Sequence, residues 1–285
     1  FTNLFMLIDQ RMFNYCMNKR VEELGEVRTA MWGAYYSKFA VLIGVGAALC
    51  LLAVSAASGK IKIAYDREEY RLMRERLEKA VSKLSILAFP LSVYLAALSE
   101  AVVECFYKNE MEHITSWIQK GAVIIPLCGF GFFFAQLLYK MRMLKELFLS
   151  VFVSMAVHIV IAYLFVQKAL LGADGIIYAL IAYFALFAAL NFLFVTRNLK
   201  YRQNWLAGVA FPAAAACVSG LAVMLIGRFM LEPAGAAVTI LSGTVAGVFL
   251  YITLLMILRV IGEEELSRIP LGFFFIMFGK NIGVL

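Results

Sequence analysis

The stretch KFAVLIGVGAALCLLAVSAAS, residues 38–58, decides the fold class of this chain. After Lys38 it contains no charged residue, and a helix needs about 20 apolar residues to cross ~30 Å of hydrocarbon. Seven further apolar stretches accompany it, and they cover residues 1–18, 84–106, 117–139, 147–166, 175–195, 205–227 and 235–258. The sequence therefore predicts an all-α polytopic membrane protein with about eight transmembrane helices.

The composition favours the same class. Apolar residues make up 63% of the 285 residues, whereas soluble domains are about half apolar. The net charge of +7 is concentrated in short loops beside the apolar stretches, as in membrane proteins, so no nucleic-acid partner is expected. The cysteines lie singly in apolar stretches and resemble small buried residues rather than a disulfide framework or metal site. They are Cys16, Cys50, Cys105, Cys128 and Cys217.

Basic residues alternate from one connection to the next. The connections after the second, fourth, sixth and eighth stretches carry about twice as many Lys and Arg residues as the others, which indicates that they share one side of the membrane. They include 60–83, 140–145, 197–202 and the tail from 259. Because basic loops are retained inside, the sequence predicts that the 60–83 loop and the C-terminus lie in the cytoplasm.

The only sizeable polar element is the segment 66–83. Asp66, followed three residues later by Glu69, predicts an N-cap with its capping-box partner. An apolar stripe follows at helical spacing, formed by Tyr70, Met73, Leu77, Val81 and Leu84. Two interpretations remain open: a cytoplasmic extension of the third span with Arg71 and Arg74 toward lipid headgroups, or a separate regulatory or partner-binding helix.

The first stretch is unusually polar for a membrane span, because it contains Asn3, Asp9, Gln10, Arg11 and Asn14. Such a helix is expected to line protein or a water-filled cavity. Asp9 precedes Arg20 by ~16 Å along a helix, which predicts a position near mid-bilayer. Arg11 is two residues away and does not share its helix face, so we expect a second helix to supply the partner of Asp9.

Five other polar residues of interest lie within apolar stretches. His158 is midway between Glu146 and Lys168, which also predicts a mid-membrane position, and an ionisable group there suggests either function or a hydrogen-bonded interhelical histidine. Glu100 is interpreted as part of an acidic lip with Glu104 or as a carboxylate that reaches water. Gln136 and Asn191 are secondary cavity candidates that helix–helix hydrogen bonding also explains.

Proline and glycine mark expected bends in the chain. Pro90, Pro126 and Pro212 each remove a backbone hydrogen bond inside an apolar stretch and predict kinks of the kind found at transporter hinges. The sequence Gly172-Ala173-Asp174-Gly175 predicts a tight hairpin between the fifth and sixth spans.

No arrangement of residues indicates an enzyme. The chain has two histidines, His113 and His158, and lacks HExxH, GxSxG, paired cysteines, aspartate-rich motifs and a glycine-rich phosphate loop. We therefore expect no catalytic residues, no metal and no cofactor. Phe1 begins inside an apolar run without the basic flank or cleavage site of a signal peptide, so the sequence is expected to lack its natural beginning.

Several patches resemble the C-terminal half of polysaccharide and oligosaccharide-lipid exporters of the MOP (multidrug/oligosaccharidyl-lipid/polysaccharide) superfamily, in the branch of stage V sporulation protein B and the lipid II flippases. NLFMLIDQRMFNYCM (3–17) and the AMWGAYYSK that follows resemble the seventh helix and its continuation. LSILAFPLSVYLAALSEAVVECFY (84–107) is similar to the ninth helix, and GADGIIYALIAYFALFAALNF (172–192) to the hairpin entering the twelfth. The ending LRVIGEEELSRIPLG, then FGKNIGVL, is similar to the family's charged turn and basic tail.

This resemblance implies a MATE-like fold in which the chain supplies helices seven to fourteen. Residues 1–195 would form the C-terminal six-helix lobe with a cytoplasmic helical extension at 66–83, and 205–285 would add two helices and a cytoplasmic tail. The N-terminal lobe would be absent. The implied location is the plasma membrane of a bacterium, with the C-terminus in the cytoplasm.

The resemblance also implies a function: flipping an undecaprenyl-linked oligosaccharide or cell-wall precursor by alternating access, amid membrane lipids and together with the missing N-terminal lobe. Asp9 would bind Na⁺ or H⁺ as the coupling ion, with Arg11, Asn14 and His158 in the same cavity. A multidrug or cation antiporter of the same superfamily is the near alternative. An intramembrane glycan-lipid transferase and a membrane scaffold belong to other classes.

Overall fold

The stretch at 38–58 forms part of a helix longer than predicted. Helix α2 (Gly25–Ala34) continues through a π-helical turn (Tyr35–Phe39) into α3 (Ala40–Asp66). The computed structural model describes residues 7–15, 25–107, 111–168, 171–267, 272–281 and 283. Helix α1 covers 7–15, and the others are α4 (Tyr70–Ala97), α5 (Ser99–Phe106), α6 (Met111–Gly121), α7 (Ile124–Lys140), α8 (Leu144–Ala162), α9 (Ala173–Leu199), α10 (Phe211–Ala234), α11 (Ala236–Ile257), α12 (Glu263–Leu266) and α13 (Gly272–Asn281). Two more π-helical turns, Tyr163–Lys168 and Leu206–Ala210, adjoin α8 and α10.

Six of the described helices are long and apolar enough to cross a membrane, and α6 with α7 makes a seventh if the bent pair is one span. These seven coincide with the predicted stretches from the second to the eighth. The first predicted stretch, 1–18, is described only over 7–15. The prediction of a helical multi-pass membrane protein is confirmed, and the exact count of eight stays a prediction.

The connection after α3 differs from its prediction. Asp66 is not an N-cap: it is the last residue of α3, where it pairs with Lys62. Glu69 directly precedes α4 and makes no side-chain capping bond, and Glu68 turns the chain with a left-handed φ of 59°. The capping prediction is wrong because α3 continues to Asp66, so the residue that precedes α4 is Glu69 and not Asp66.

The apolar stripe of α4 forms the core of the resulting α3–α4 hairpin. Met73, Leu77, Val81 and Leu84 are buried, whereas Tyr70 is about half exposed. The segment 70–83 is thus continuous with the third span, which is the arrangement of the helical-extension interpretation.

Two predicted spans are interrupted. In the third predicted span, α4 ends at Ala97, and α5 begins after Leu98. The fourth is bent by 43° between α6 and α7, and Pro126 lies in the first turn of α7, where a missing N–H costs no helical bond. Pro212 likewise occupies the first turn of α10, whereas Pro90 lies inside α4 without ending it.

Close helix packing depends on small residues in the membrane part. A Cβ on Gly220 of α10 would lie 2.1 Å from Val93 Cγ1 of α4, so only glycine lets these two helices approach this far. Gly129 of α7 lies in a similar way against Cys50 and Leu84. Helix α7 thereby packs among α3, α4 and α9, and the α10–α11 pair covers α4.

The basic connections lie together at one end of the bundle. Lys140 Nζ donates to Ser58 Oγ at 2.6 Å, and Arg76 Nη1 donates to the Lys60 carbonyl at 2.7 Å. We call this end, formed by 60–83, 140–145 and 197–202, the basic face. At the opposite end Lys120 Nζ lies 2.9 Å from Asp174 Oδ2, which ties α6 to the start of α9. The grouping agrees with the sequence, and the cytoplasmic assignment of the basic face stays a prediction.

The tail after α11 contains an apolar helix in addition to its charged residues. Helix α13 is apolar, and its Phe275 packs against Phe249 of α11 with ring centroids 5.8 Å apart. Lys280 and Glu263 join α13 to α12 by an ion pair of 3.0 Å. The tail therefore folds back onto the membrane part of α11.

Candidate functional site

Two polar residues from distant parts of the sequence meet in the protein interior. Asp9 Oδ1 lies 2.8 Å from His158 Nε2, and the exposed fractions of the two residues are 4% and 0%. Asp9 projects from α1 and His158 from the middle of α8. We call these two residues the buried pair.

The sequence pattern of α1 explains why Asp9 faces inward. Phe13, one helical turn after Asp9, is fully buried, whereas Leu7, Arg11 and Tyr15 are exposed. The helix is therefore two-sided, and the inner side presents the carboxylate to α8. Burying a charged group away from water is costly, so a partner at hydrogen-bond distance offsets part of the cost of burying Asp9.

Aromatic rings enclose the buried pair. The Tyr183 ring of α9 meets the His158 ring edge to face, with centroids 6.2 Å apart. Tyr35 of the first π-helical turn is buried and lies within electrostatic range of Asp9. Trp32 stacks on Tyr35 at 5.5 Å and contacts Phe13 at 5.3 Å. These rings exclude lipid and bulk water from the pair, which strengthens the electrostatic coupling inside it.

The buried pair can bind one cation in a chemically simple way. A carboxylate beside a neutral imidazole has one net negative charge, and uptake of one proton makes the pair neutral. The proton then belongs to the pair rather than to either side chain. One carboxylate at the pair can be neutralised by one proton or one other monovalent cation.

The other predicted site residues do not all join this pair. Arg11 is exposed on the outer side of α1, and Asn14 is half-buried. Glu100 is exposed in the first turn of α5, and Gln136 is half-buried on α7. Only Asn191 is fully buried, on α9, and it faces the helix α8 that carries His158.

Asn191 belongs to a second polar contact between α8 and α9. Its Oδ1 atom lies 2.8 Å from Ser150 Oγ. Ser150, Ser154 and His158 are four residues apart and fully buried, so they form one polar row along α8. Sequence analysis missed the two serines, although their spacing from His158 could have indicated them.

A cleft of about 450 Å³ opens at the basic face. Its walls are the start of α4 and the segment after α9, with Arg71, Arg74, Glu75, Glu78, Lys200, Tyr201 and Arg202 as lining residues. Four cations face two carboxylates, so the cleft favours anions. Burial raises the pKa of Tyr201, and the charge of Glu78 raises that pKa further, so Tyr201 stays a neutral hydroxyl. We call this feature the basic cleft.

Comparison of the chain with known protein families, with curated proteins and with solved structures gave no match. Two features of the molecule bear on its function: a carboxylate and an imidazole paired inside the helical bundle, and a cationic cleft at one end of the same bundle.

Proposed function

We propose that the protein is an ion-coupled membrane exporter of the flippase type, whose cargo is a lipid-linked oligosaccharide or cell-wall precursor. The observation that carries this proposal is the buried pair of Asp9 and His158 between α1 and α8. Ionisable groups at such a depth are rare and are a feature of coupling sites in transporters. The MOP-like patches of the sequence support the same class and would place the protein in the plasma membrane of a bacterium.

The pair supplies a physical link between ion binding and movement. With one proton bound, the carboxylate and the imidazolium attract each other and hold α1 against α8. After the proton leaves, a buried carboxylate beside a neutral ring is costly, so the arrangement with α1 closer to water becomes favoured. Loss and gain of one cation would thus shift the equilibrium between two positions of α1, as alternating access requires.

The basic cleft supports a phosphate-bearing cargo. Lipid-linked sugars carry a diphosphate between lipid and glycan, and Arg and Lys side chains bind such groups by charge-assisted hydrogen bonds. Arg71, Arg74, Lys200 and Arg202 lie at the end of the bundle from which a cytoplasmic precursor would be collected. The cleft is proposed as the loading side and the buried pair as the coupling site.

The test is flipping by the full-length protein in liposomes, with NBD-labelled undecaprenyl-diphosphate N-acetylglucosamine as the probe. Dithionite quenching reports which leaflet holds the probe while a pH or Na⁺ gradient is imposed. Asp9→Asn keeps the side-chain size and removes the charge, and we expect it to abolish gradient-driven flipping without lowering abundance in the membrane. Arg11→Gln is the matched control on the outer side of α1 and is expected to retain flipping.

Two results would contradict the proposal. Gradient-driven flipping at the wild-type rate by Asp9→Asn would make Asp9 a packing residue. Efflux of a cationic dye such as ethidium, together with no flipping of the labelled lipid, would favour the antiporter alternative instead.

A further inference from the structure

The polar row of α8 reaches from the basic face to the buried pair. Glu146, in the first turn of α8, is half-buried, and Ser150, Ser154 and His158 follow at intervals of four residues. Twelve residues of helix span ~18 Å, which is more than half of the ~30 Å hydrocarbon layer. The outer side of the same helix is apolar and exposed at Phe148 and Phe152, as expected for contact with lipid.

Two buried groups along this row lack a hydrogen-bond partner among the described residues. They are Ser154 Oγ on α8 and Asn191 Nδ2 on the facing helix α9. Ser150 Oγ has a single proton, and it lies 2.8 Å from both the Leu147 carbonyl and Asn191 Oδ1. If the Asn191 amide is turned over, its nitrogen donates to Ser150 and its oxygen becomes the unpaired atom. One amide atom is therefore left without a partner in either orientation.

An unpaired buried polar group costs ~1–3 kcal/mol, and in proteins such groups are commonly satisfied by internal water. Here two of them lie one turn apart along the same helix interface, between the basic face and a titratable pair. Hydroxyl groups and water both donate and accept protons, so they can pass a proton along a hydrogen-bonded chain.

We propose that Ser150, Ser154 and Asn191 hold a file of water molecules that carries protons between the basic face and the pair of Asp9 and His158. This inference rests on the proposed function and deepens it, because it assigns the proton as the coupling ion. A proton enters at Glu146, passes from water to hydroxyl by exchange of O–H bonds, and is added to the pair, whose net charge changes from −1 to 0. A sodium ion suits the site less well, because His158 Nε2 already occupies Asp9 Oδ1 at 2.8 Å.

The groups that face this route are few within the described chain. Tyr35 and Tyr183 lie beside the pair, and Cys128 of α7 lies within electrostatic range of Tyr183. Because α8 and α9 are antiparallel, with Ser150 at Asn191 and His158 at Tyr183, Phe187 lies at the level of Ser154.

Phe187 is the aromatic side chain at this level of the route. It is buried to 2% exposure and stacks on Tyr183 with ring centroids 5.6 Å apart. Water held at Ser154 would therefore lie close to this ring.

The first experiment detects the water directly, by X-ray radiolysis of the full-length protein in nanodiscs with mass spectrometry of oxidised side chains. Hydroxyl radicals form from water next to the side chain that they label. We expect Phe187 to be oxidised, and Phe133, which is equally buried on α7, to stay unmodified. Equal protection of both rings would overturn the water file.

The second experiment measures the rate of flipping of the labelled lipid after a pH jump. Ser154→Ala is expected to slow proton-driven flipping by ~10-fold or more, since positioned proton transfer contributes about 10² to 10⁴ in rate, and Ser154→Thr is expected to restore it. Ser85→Ala removes a buried hydroxyl from α4 and is the matched control. A wild-type rate for Ser154→Ala, with raised thermal stability from loss of a dry unpaired hydroxyl, would refute the route.

Failure of this inference is distinguishable from failure of the proposed function. If Asp9→Asn abolishes flipping while Ser154→Ala does not slow it, the coupling pair stands and the route is wrong. If Asp9→Asn flips normally under a pH gradient, the coupling proposal fails whatever the radiolysis shows.

Discussion

Replacing His158 with leucine is expected to leave Asp9 buried beside a side chain that cannot bond to it. The leucine fills nearly the same space, so the main loss is the 2.8 Å contact with the carboxylate. Removing one partner of a buried pair leaves the other partner without compensation, which costs ~3–5 kcal/mol in general. We therefore expect His158→Leu to lower the free energy of unfolding by ~3 kcal/mol.

The assay is unfolding in mixed micelles with increasing SDS, applied to a double-mutant cycle. Asp9→Leu removes the carboxylate, and the variant with both leucines removes the whole pair, so it should recover most of the loss shown by His158→Leu alone. A coupling free energy near zero would show that Asp9 and His158 do not act as a pair.

Two further predictions concern orientation and packing. In a variant without native cysteines, Arg202→Cys should not react with a membrane-impermeant thiol reagent in intact cells, whereas Phe106→Cys should react. Labelling of position 202 from outside would show that the basic face lies outside the cell. Gly220→Ala should lower stability by ~1–3 kcal/mol because its Cβ would lie 2.1 Å from Val93, whereas Gly44→Ala, with open space around its Cα, should be close to neutral in the same SDS titration.

Hydrophobic patterning along the chain was sufficient to predict the membrane helices, because lipid requires long apolar segments whatever their neighbours are. The same patterning did not predict where these helices begin and end. Asp66 and Glu69 have the spacing of a capping box, yet α3 continues to Asp66, since its packing against α4 outweighs a local capping preference. The break at Leu98 has no Gly or Pro signal nearby and depends on tertiary packing.

In the candidate site, too, some features could be predicted from the sequence and others could not. Counting residues from the loops predicts a mid-membrane depth for both Asp9 and His158, and this depth stays a prediction. Their contact could not be predicted, because it depends on α1 lying against α8, and sequence spacing carries no such information. Ser150 and Ser154 were missed for another reason: isolated serines are common in membrane helices, and only their alignment with Asn191 gives them a role.

The α3–α4 hairpin has a practical consequence for imaging a membrane protein of this size. The helix Thr29–Asp66 is 38 residues long, or ~57 Å, and the hydrocarbon layer takes up only ~30 Å of it. Beyond the apolar stretch 38–58 the helix continues to Asp66 for ~12 Å, and there it pairs with the polar start of α4 in a two-helix stalk joined at Arg67 and Glu68. A rigid fusion partner inserted in register at this turn would move as one body with the transmembrane helices, and would provide the alignment mark that electron cryo-microscopy of small membrane proteins needs.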